Sequence, residues 1–271
     1  MKTINILLLF LIGMFKMVYS QDSLYFVFEK KIPLPENSIW EIDYLNNFYF
    51  GTKQKIEKID YNGNTLFSQS IKSTGKISEM DVKNPFKIHL FSEEQQSITF
   101  LDNTLSVQSQ INLNDFQVNY ITHISSSNQV DKCWIFDQQD SQFKLLSNYK
   151  NRDISLKNLS ALLSIKNVYS ISEIQNHLFI ADSLTGIFEF DLYGSLVQHF
   201  EIQKTNCFDI YNNNLIILHN DKISIYSLNS TDKNLKKSFD LPKKKIVKFK
   251  IQDNNIFFES ENFIYVYKLI W

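Results

Sequence analysis

Glu41, Glu79, Ser170, Asp209 and Lys248 stand at one equivalent position of a short apolar strand that recurs along the chain, once the copies are aligned on Ile42, Met80, Ile171, Ile210 and Phe249. The next polar position gives Asp43, Asp81, Ser172 and Lys250. The third copy does not align cleanly, and Asn119 and Thr122 are its candidates for the first of these positions. If such strands converge, their carboxylates form an oxygen-rich cluster, and hard cations such as calcium prefer oxygen ligands of this kind. The plainer reading is that the strands border a wet channel and tolerate polar side chains, with Lys248 neutralising a neighbouring acid. We carry the plainer reading forward, because spacing alone does not establish convergence. No cofactor is therefore expected, and calcium is the alternative.

Other chemistry is sparse. There is no G-x-S-x-G, no H-E-x-x-H, no phosphate-cradling glycine loop and no EF-hand loop. His89, His123, His177, His199 and His219 fall in different segments without ligand spacing. Cys133 and Cys207 lie two repeats apart, each inside an apolar strand, and are expected to be buried free thiols rather than a disulfide. The residues Lys233, Lys236, Lys237, Lys243, Lys244, Lys245, Lys248 and Lys250 make a basic run, with Lys243, Lys244 and Lys245 as its core. Such a patch could meet an anionic glycan, a lipid headgroup or an acidic protein. The expected reading is a solvated outer strand whose lysines discourage edge pairing.

The elements that must position these residues are six copies of an aromatic-rich strand pair. They centre on Asn47–Phe50, Lys87–Phe91, Lys132–Phe136, His177–Ile180, Leu215–Leu218 and Asn255–Phe258. Their spacing is about 42 residues, the size of a four-stranded blade. In the fourth copy, strands at Val168–Ile174, Leu178–Ala181, Ile187–Phe190 and Leu196–Ile202 are separated by turn residues. The first copy repeats the pattern, with Asn62-Gly63 as a strong hairpin turn. In the third copy the last two strands are less distinct, and Ser160–Lys166 reads as a short helical or irregular insertion. The sixth copy stops one strand short, and Leu24–Phe28 can fill the gap beside Phe263–Lys268. The expected fold is therefore all-β, a six-bladed β-propeller of four-stranded antiparallel blades, closed by the N-terminal strand on the last blade.

The stretch His177–Ser183 followed by Ile187–Gly194 resembles an NHL-type repeat: an apolar strand, Ala181-Asp182-Ser183, a turn, a short strand, Asp191 and a Gly turn. The copy at Phe48–Asn64 is similar but carries Gly51-Thr52 where Ala-Asp would stand. As a whole the chain resembles TolB-like and NHL-like six-bladed propellers, at the level of spacing throughout and of motif in one copy. That resemblance implies a fold; it leaves open binding scaffolds, lactonases and assembly factors. An outer-membrane barrel is the competing architecture, suggested by the terminal aromatic Trp271. Barrel strands need about 9–11 residues of alternating polarity, which these short runs lack.

Residues 1–20 read as an export signal, with Lys2, the apolar run Ile6–Phe15, and Val18-Tyr19-Ser20 before Gln21. Lys16 breaks the run well short of the roughly 20 residues a spanning helix needs. No cysteine near the cleavage point marks a lipid attachment. Residues 21–271 are then one propeller domain, secreted or periplasmic, not membrane-spanning after cleavage, and monomeric. With 23 Phe and 13 Tyr against 6 Gly and 4 Pro, the chain is built for buried sheet. A net charge of -1 gives no general attraction to nucleic acid. The expected role is a non-enzymatic scaffold for a protein or envelope component. The alternative is a calcium-dependent lactonase or sugar-acid hydrolase resting on Glu41, Glu79 and Asp209.

Overall fold

The structure, a computed structural model, describes residues 24–53, 55–147, 155–156, 162–205, 207–229 and 235–270. The export signal read at residues 1–20 lies outside them, as do Lys233 and Trp271.

The strands form six four-stranded antiparallel sheets. After a first strand β1 (Tyr25–Pro33), blade 1 holds β2 (Ile39–Ile42), β3 (Phe48–Gly51), β4 (Lys55–Ile59) and β5 (Thr65–Ser70). Blade 2 holds β6 (Glu79–Asp81), β7 (Ile88–Ser92), β8 (Ser97–Leu101) and β9 (Val107–Asn112). Blade 3 holds β10 (Ile121–Ser126), β11 (Lys132–Asp137), β12 (Gln142–Ser147) and a two-residue β13 (Ser155–Leu156). Blade 4 runs through β14 (Val168–Ile174), β15 (His177–Asp182), β16 (Gly186–Asp191) and β17 (Leu196–Phe200). Blade 5 runs through β18 (Cys207–Tyr211), β19 (Asn214–His219), β20 (Lys222–Ser227) and β21 (Leu235–Asp240). Blade 6 has β22 (Ile246–Gln252), β23 (Asn255–Ser260) and β24 (Phe263–Ile270), and takes β1 as its fourth strand. Six blades and N-terminal closure are as the repeat predicts, and the barrel alternative falls.

Blades stack face to face, so their second strands are covered on both sides. That is why Phe48–Gly51 and Leu178–Ala181 read as unbroken apolar runs and are wholly buried. One apolar cluster fills each of the six interfaces; between blades 6 and 1 it joins Ile32, Trp40, Phe48, Phe257 and Ile264. The fourth strands face solvent, and β5 is exposed along its whole length.

Closure is longer than the sequence suggests. Tyr25 pairs with Ile270 and Pro33 with Phe263, with a bulge between Phe28 and Lys30. The charged run Glu29-Lys30-Lys31 hides the second half of the strand from a reading based on apolarity. Leu24 packs into the blade 5–6 cluster with Tyr267 and Leu269, while Ile32 and Leu34 pack into the blade 6–1 cluster.

Turn chemistry sets the register. The first turns of blades 4, 5 and 6 are the pairs Gln175-Asn176, Asn212-Asn213 and Asp253-Asn254, all six residues at positive φ, the backbone that two-residue hairpins demand. The third turns of blades 1, 2 and 4 each start with an Asp whose carboxylate binds its own turn. Asp60 accepts from Asn64 N at 2.8 Å, Asp102 from Ser106 N at 2.9 Å, and Asp191 from Ser195 N at 2.8 Å. Gly186 has φ 108°, and a Cβ there would sit 2.1 Å from Phe200 O, so only glycine fits between β15 and β17.

Candidate functional site

The innermost strands surround a cavity of about 520 Å³ along the ring axis. All five residues aligned from the sequence line it: Glu41 on β2, Glu79 on β6, Ser170 on β14, Asp209 on β18 and Lys248 on β22. The structure thus brings the aligned position to one channel. It does not gather three carboxylates into a metal-binding group among the described residues.

On one side, Lys248 Nζ lies 2.6 Å from Glu41 Oε1 and Lys250 Nζ 3.0 Å from Glu41 Oε2, so one carboxylate bridges two ammoniums. Lys248 also donates to Trp40 O and sits 4.9 Å from the Trp40 ring centroid. Burial alone would raise the Glu41 carboxyl, but Lys248 and Lys250 more than offset this and hold it below its usual value. Burial pulls Lys250 down, and Glu41 and Asp209 reverse that, leaving it raised. Asp209 accepts from Ile210 N at 2.8 Å and from Ile251 N of the next blade at 2.9 Å. Its burial lifts it above the ordinary carboxylate range, with Lys250 only partly offsetting.

Across the channel the acids again tie blade to blade. Glu79 accepts from Ile124 N of blade 3 at 2.8 Å and pairs with His123 Nδ1, while His123 Nε2 lies 3.1 Å from Val168 O of blade 4. Burial lowers His123, but Glu79 outweighs it and the imidazole is raised. Asp81 accepts from Ser126 N at 2.8 Å and meets Lys83 Nζ at 3.1 Å. Burial opposes its charge; Lys83 and the backbone donors bring it down to about 2. Lys83 Nζ also donates to Ser125 Oγ and to Glu173 O, both at 3.0 Å, linking three blades. The wholly buried Glu173 accepts from Trp134 Nε1 at 2.7 Å and Asn128 N at 2.8 Å.

Several expectations are corrected. Asp43 does not face the channel; it folds back on its own turn, accepting from Leu45 N, Asn47 N and Tyr49 OH, each at 2.9 Å. Its loop returns quickly enough to bring those donors to it. In blade 3 the aligned position belongs to His123, preceding the channel-lining Ile124, and not to Asn119 or Thr122. The basic run divides. Lys248 and Lys250 point into the channel, whereas Lys243, Lys244 and Lys245 occupy the loop between β21 and β22, with Lys243 Nζ 3.5 Å from the Tyr265 ring centroid. Cys133 and Cys207 are both free thiols. His123, Lys83 and Glu173 were missed, and the signal for them was the spacing of about one or two repeats between each and its partners on other blades.

The donor set does not fit calcium. Glu41 is held by two lysines, Asp209 by two backbone N–H groups, and Glu79 by an imidazole and an N–H. Among the described residues no three His, Cys, Asp or Glu side chains are grouped to hold a metal ion.

No protein-family model matches the sequence, and no curated protein sequence does either. Solved structures share its fold. The WD40 β-propeller domain of Doa1 is 13% identical with a TM-score of 0.64, over 90% of this chain and 91% of that one. A catalytically inactive virginiamycin B lyase from Staphylococcus aureus, determined with quinupristin, is 12% identical with a TM-score of 0.62, over 85% and 80%. BBS1N in complex with ARL6DN is 11% identical with a TM-score of 0.59, over 83% and 75%. The likeness is one of fold. It includes both WD40 propellers and a lyase propeller of the TolB/NHL-like kind, in agreement with the resemblance read from the repeat.

Proposed function

We propose that the protein is an exported, non-catalytic propeller that holds a protein or an envelope component on its surface. One observation carries this reading: every acidic residue lining the channel among the described residues is engaged in tying neighbouring blades together, so the wall is a fastening. Cys207 borders the cavity, but burial pushes its thiol up and away from the reactive thiolate. The fold accommodates both roles. BBS1N, of similar fold, is seen with the protein ARL6DN, and the lyase with a small molecule.

The test is a melting titration with calcium. A ligand that binds only the native state raises the melting temperature. A scaffold of this kind shows no shift, and Glu79→Ala and Asp209→Ala lower stability equally with and without the ion. Stabilisation by calcium that both variants abolish would instead support the hydrolase. Export is tested separately: removal of residues 1–20 should retain the protein in the cytoplasm, and unchanged fractionation would refute it.

A further inference from the structure

The exposed apolar side chains are gathered at one end of the ring. Each blade is an antiparallel meander, so its first and third turns lie on one face and its second turn and exit loop on the other. The first face carries Tyr44, Leu45, Phe86, Val130 and Tyr193 at turn tips, the last two more than 80% exposed. Outer strands start from this face, and their first halves expose Tyr25 and Val27 on β1, Leu66 on β5, Val107 on β9 and Leu196 on β17. Ile270, ending β24, joins them. Among the described residues, only Tyr120, Leu162, Leu184 and Val247 of the exposed large apolar side chains belong to the opposite face.

We propose that this end of the ring seats in the headgroup region of a lipid bilayer. The apolar residues do not line a groove. They run round blades 6, 1, 2, 3 and 4, at the tips and on the adjoining outer wall, so the occupant must meet both at once. A soft planar medium into which the end sinks does so; a peptide in a cleft does not. Exposed apolar surface on this scale marks an interaction site, and Tyr and Phe are suited to a boundary that is apolar on one side and wet on the other.

Charge does not supply the attraction. The loop of Lys243, Lys244 and Lys245 lies at the opposite face, and at the apolar end Lys87 is paired with Asp131 and Lys83 with Asp81, while the turn acids Asp60, Asp102, Asp191 and Asp253 share that end. Binding is therefore apolar, not favoured by anionic lipid and little weakened by salt. The inference deepens the scaffold reading by naming what one end meets, and rests on it only in making the surface the working part.

The experiment uses the full chain in a Cys207→Ser background, with an environment-sensitive thiol dye at Tyr193→Cys or, on the far face, at Leu184→Cys. Vesicles of phosphatidylcholine are added at low and high salt. The dye at 193 should shift to the blue and be quenched by spin-labelled acyl chains, at both salt concentrations, while the dye at 184 stays water-like. Adding Phe86→Ser and Tyr44→Ser should raise the lipid needed for half the shift about tenfold or more. A chain held to vesicles with both dyes in water, both dyes responding alike, or a response confined to anionic lipid would overturn the proposal. The first of these would return the apolar end to a protein partner and leave the scaffold standing. Calcium-dependent stabilisation would remove the scaffold and leave the lipid contact untouched.

Discussion

Replacing Ile32 by alanine tests whether β1 is part of the ring or an appendage to it. Ile32 is 5% exposed and packs among Trp40, Phe48, Phe257, Ile264 and Val266, residues of blades 1 and 6. Those neighbours are large rings and β-branched side chains held by sheet, so the space left by the lost carbons collapses poorly. Truncations of this kind cost about 2–5 kcal/mol, and a rigid wall places this one in the upper half of that range. In a domain of this size each kcal/mol moves the melting temperature by about 2–4 °C. The expected drop is therefore roughly 7–20 °C, in one cooperative transition followed by near- and far-ultraviolet circular dichroism. Val107→Ser, on an exposed outer strand, serves as the control and should move it by no more than about 2 °C. A small early transition with the main melt unmoved would refute the reasoning, since β1 would then detach without opening the ring. Deleting residues 22–31 is the coarse form of the same test and should abolish the cooperative fold.

Gly186→Ala should destabilise by about 3 kcal/mol or more, because the new methyl meets the Phe200 carbonyl in a left-handed backbone; wild-type urea stability in this variant would contradict the geometry. Glu173→Leu removes a buried carboxylate but orphans the Trp134 indole N–H and the Asn128 N–H, for a loss of about 2–4 kcal/mol, with exposure of Trp134 read from its fluorescence. His123 is raised above 6.5 in the fold, so its pairing with Glu79 contributes fully below pH 6.5 and is lost as pH rises through the raised value. Melting followed across that window should show this slope, and His123→Gln should flatten it. Asp81 is depressed from 3.8 to about 2, so its contribution holds above pH 3.8 and disappears between there and about pH 2; Asp81→Asn should lose that acid limb.

The blades were legible because a strand covered on both faces cannot alternate, and runs such as Leu215–Leu218 have no other use for so much unbroken apolarity. The latch was half legible: Leu24–Phe28 reads as a strand, whereas Glu29-Lys30-Lys31 does not, yet pairing with β24 carries the chain through them to Pro33. Backbone pairing on an outer edge asks little of side chains. The channel position was found from spacing in five copies and missed in the third, where His123 replaces the short polar residue sought. Glu41-Ile42-Asp43 and Glu79-Met80-Asp81 show why spacing stops short of chemistry. The two tripeptides match, but Asp43 is taken by its own turn and Asp81 by the neighbouring blade. Which donor lies within reach is a property of the loop that follows and of the facing blade, and neither is local in sequence.

A clasp made from the first and last strands of the ring has a consequence for how the molecule is born. Tyr25 is synthesised long before its partner Ile270, so the circle stays open until β24 has been made. Until then a bare strand edge and an uncovered sixth sheet wait for one another across nearly the whole length of the protein, a pairing that is slow to find. Nascent chains interrupted anywhere before β24 have no closed form to fall into. Synthesis through β24 is thus built into the architecture as the condition for closing the ring.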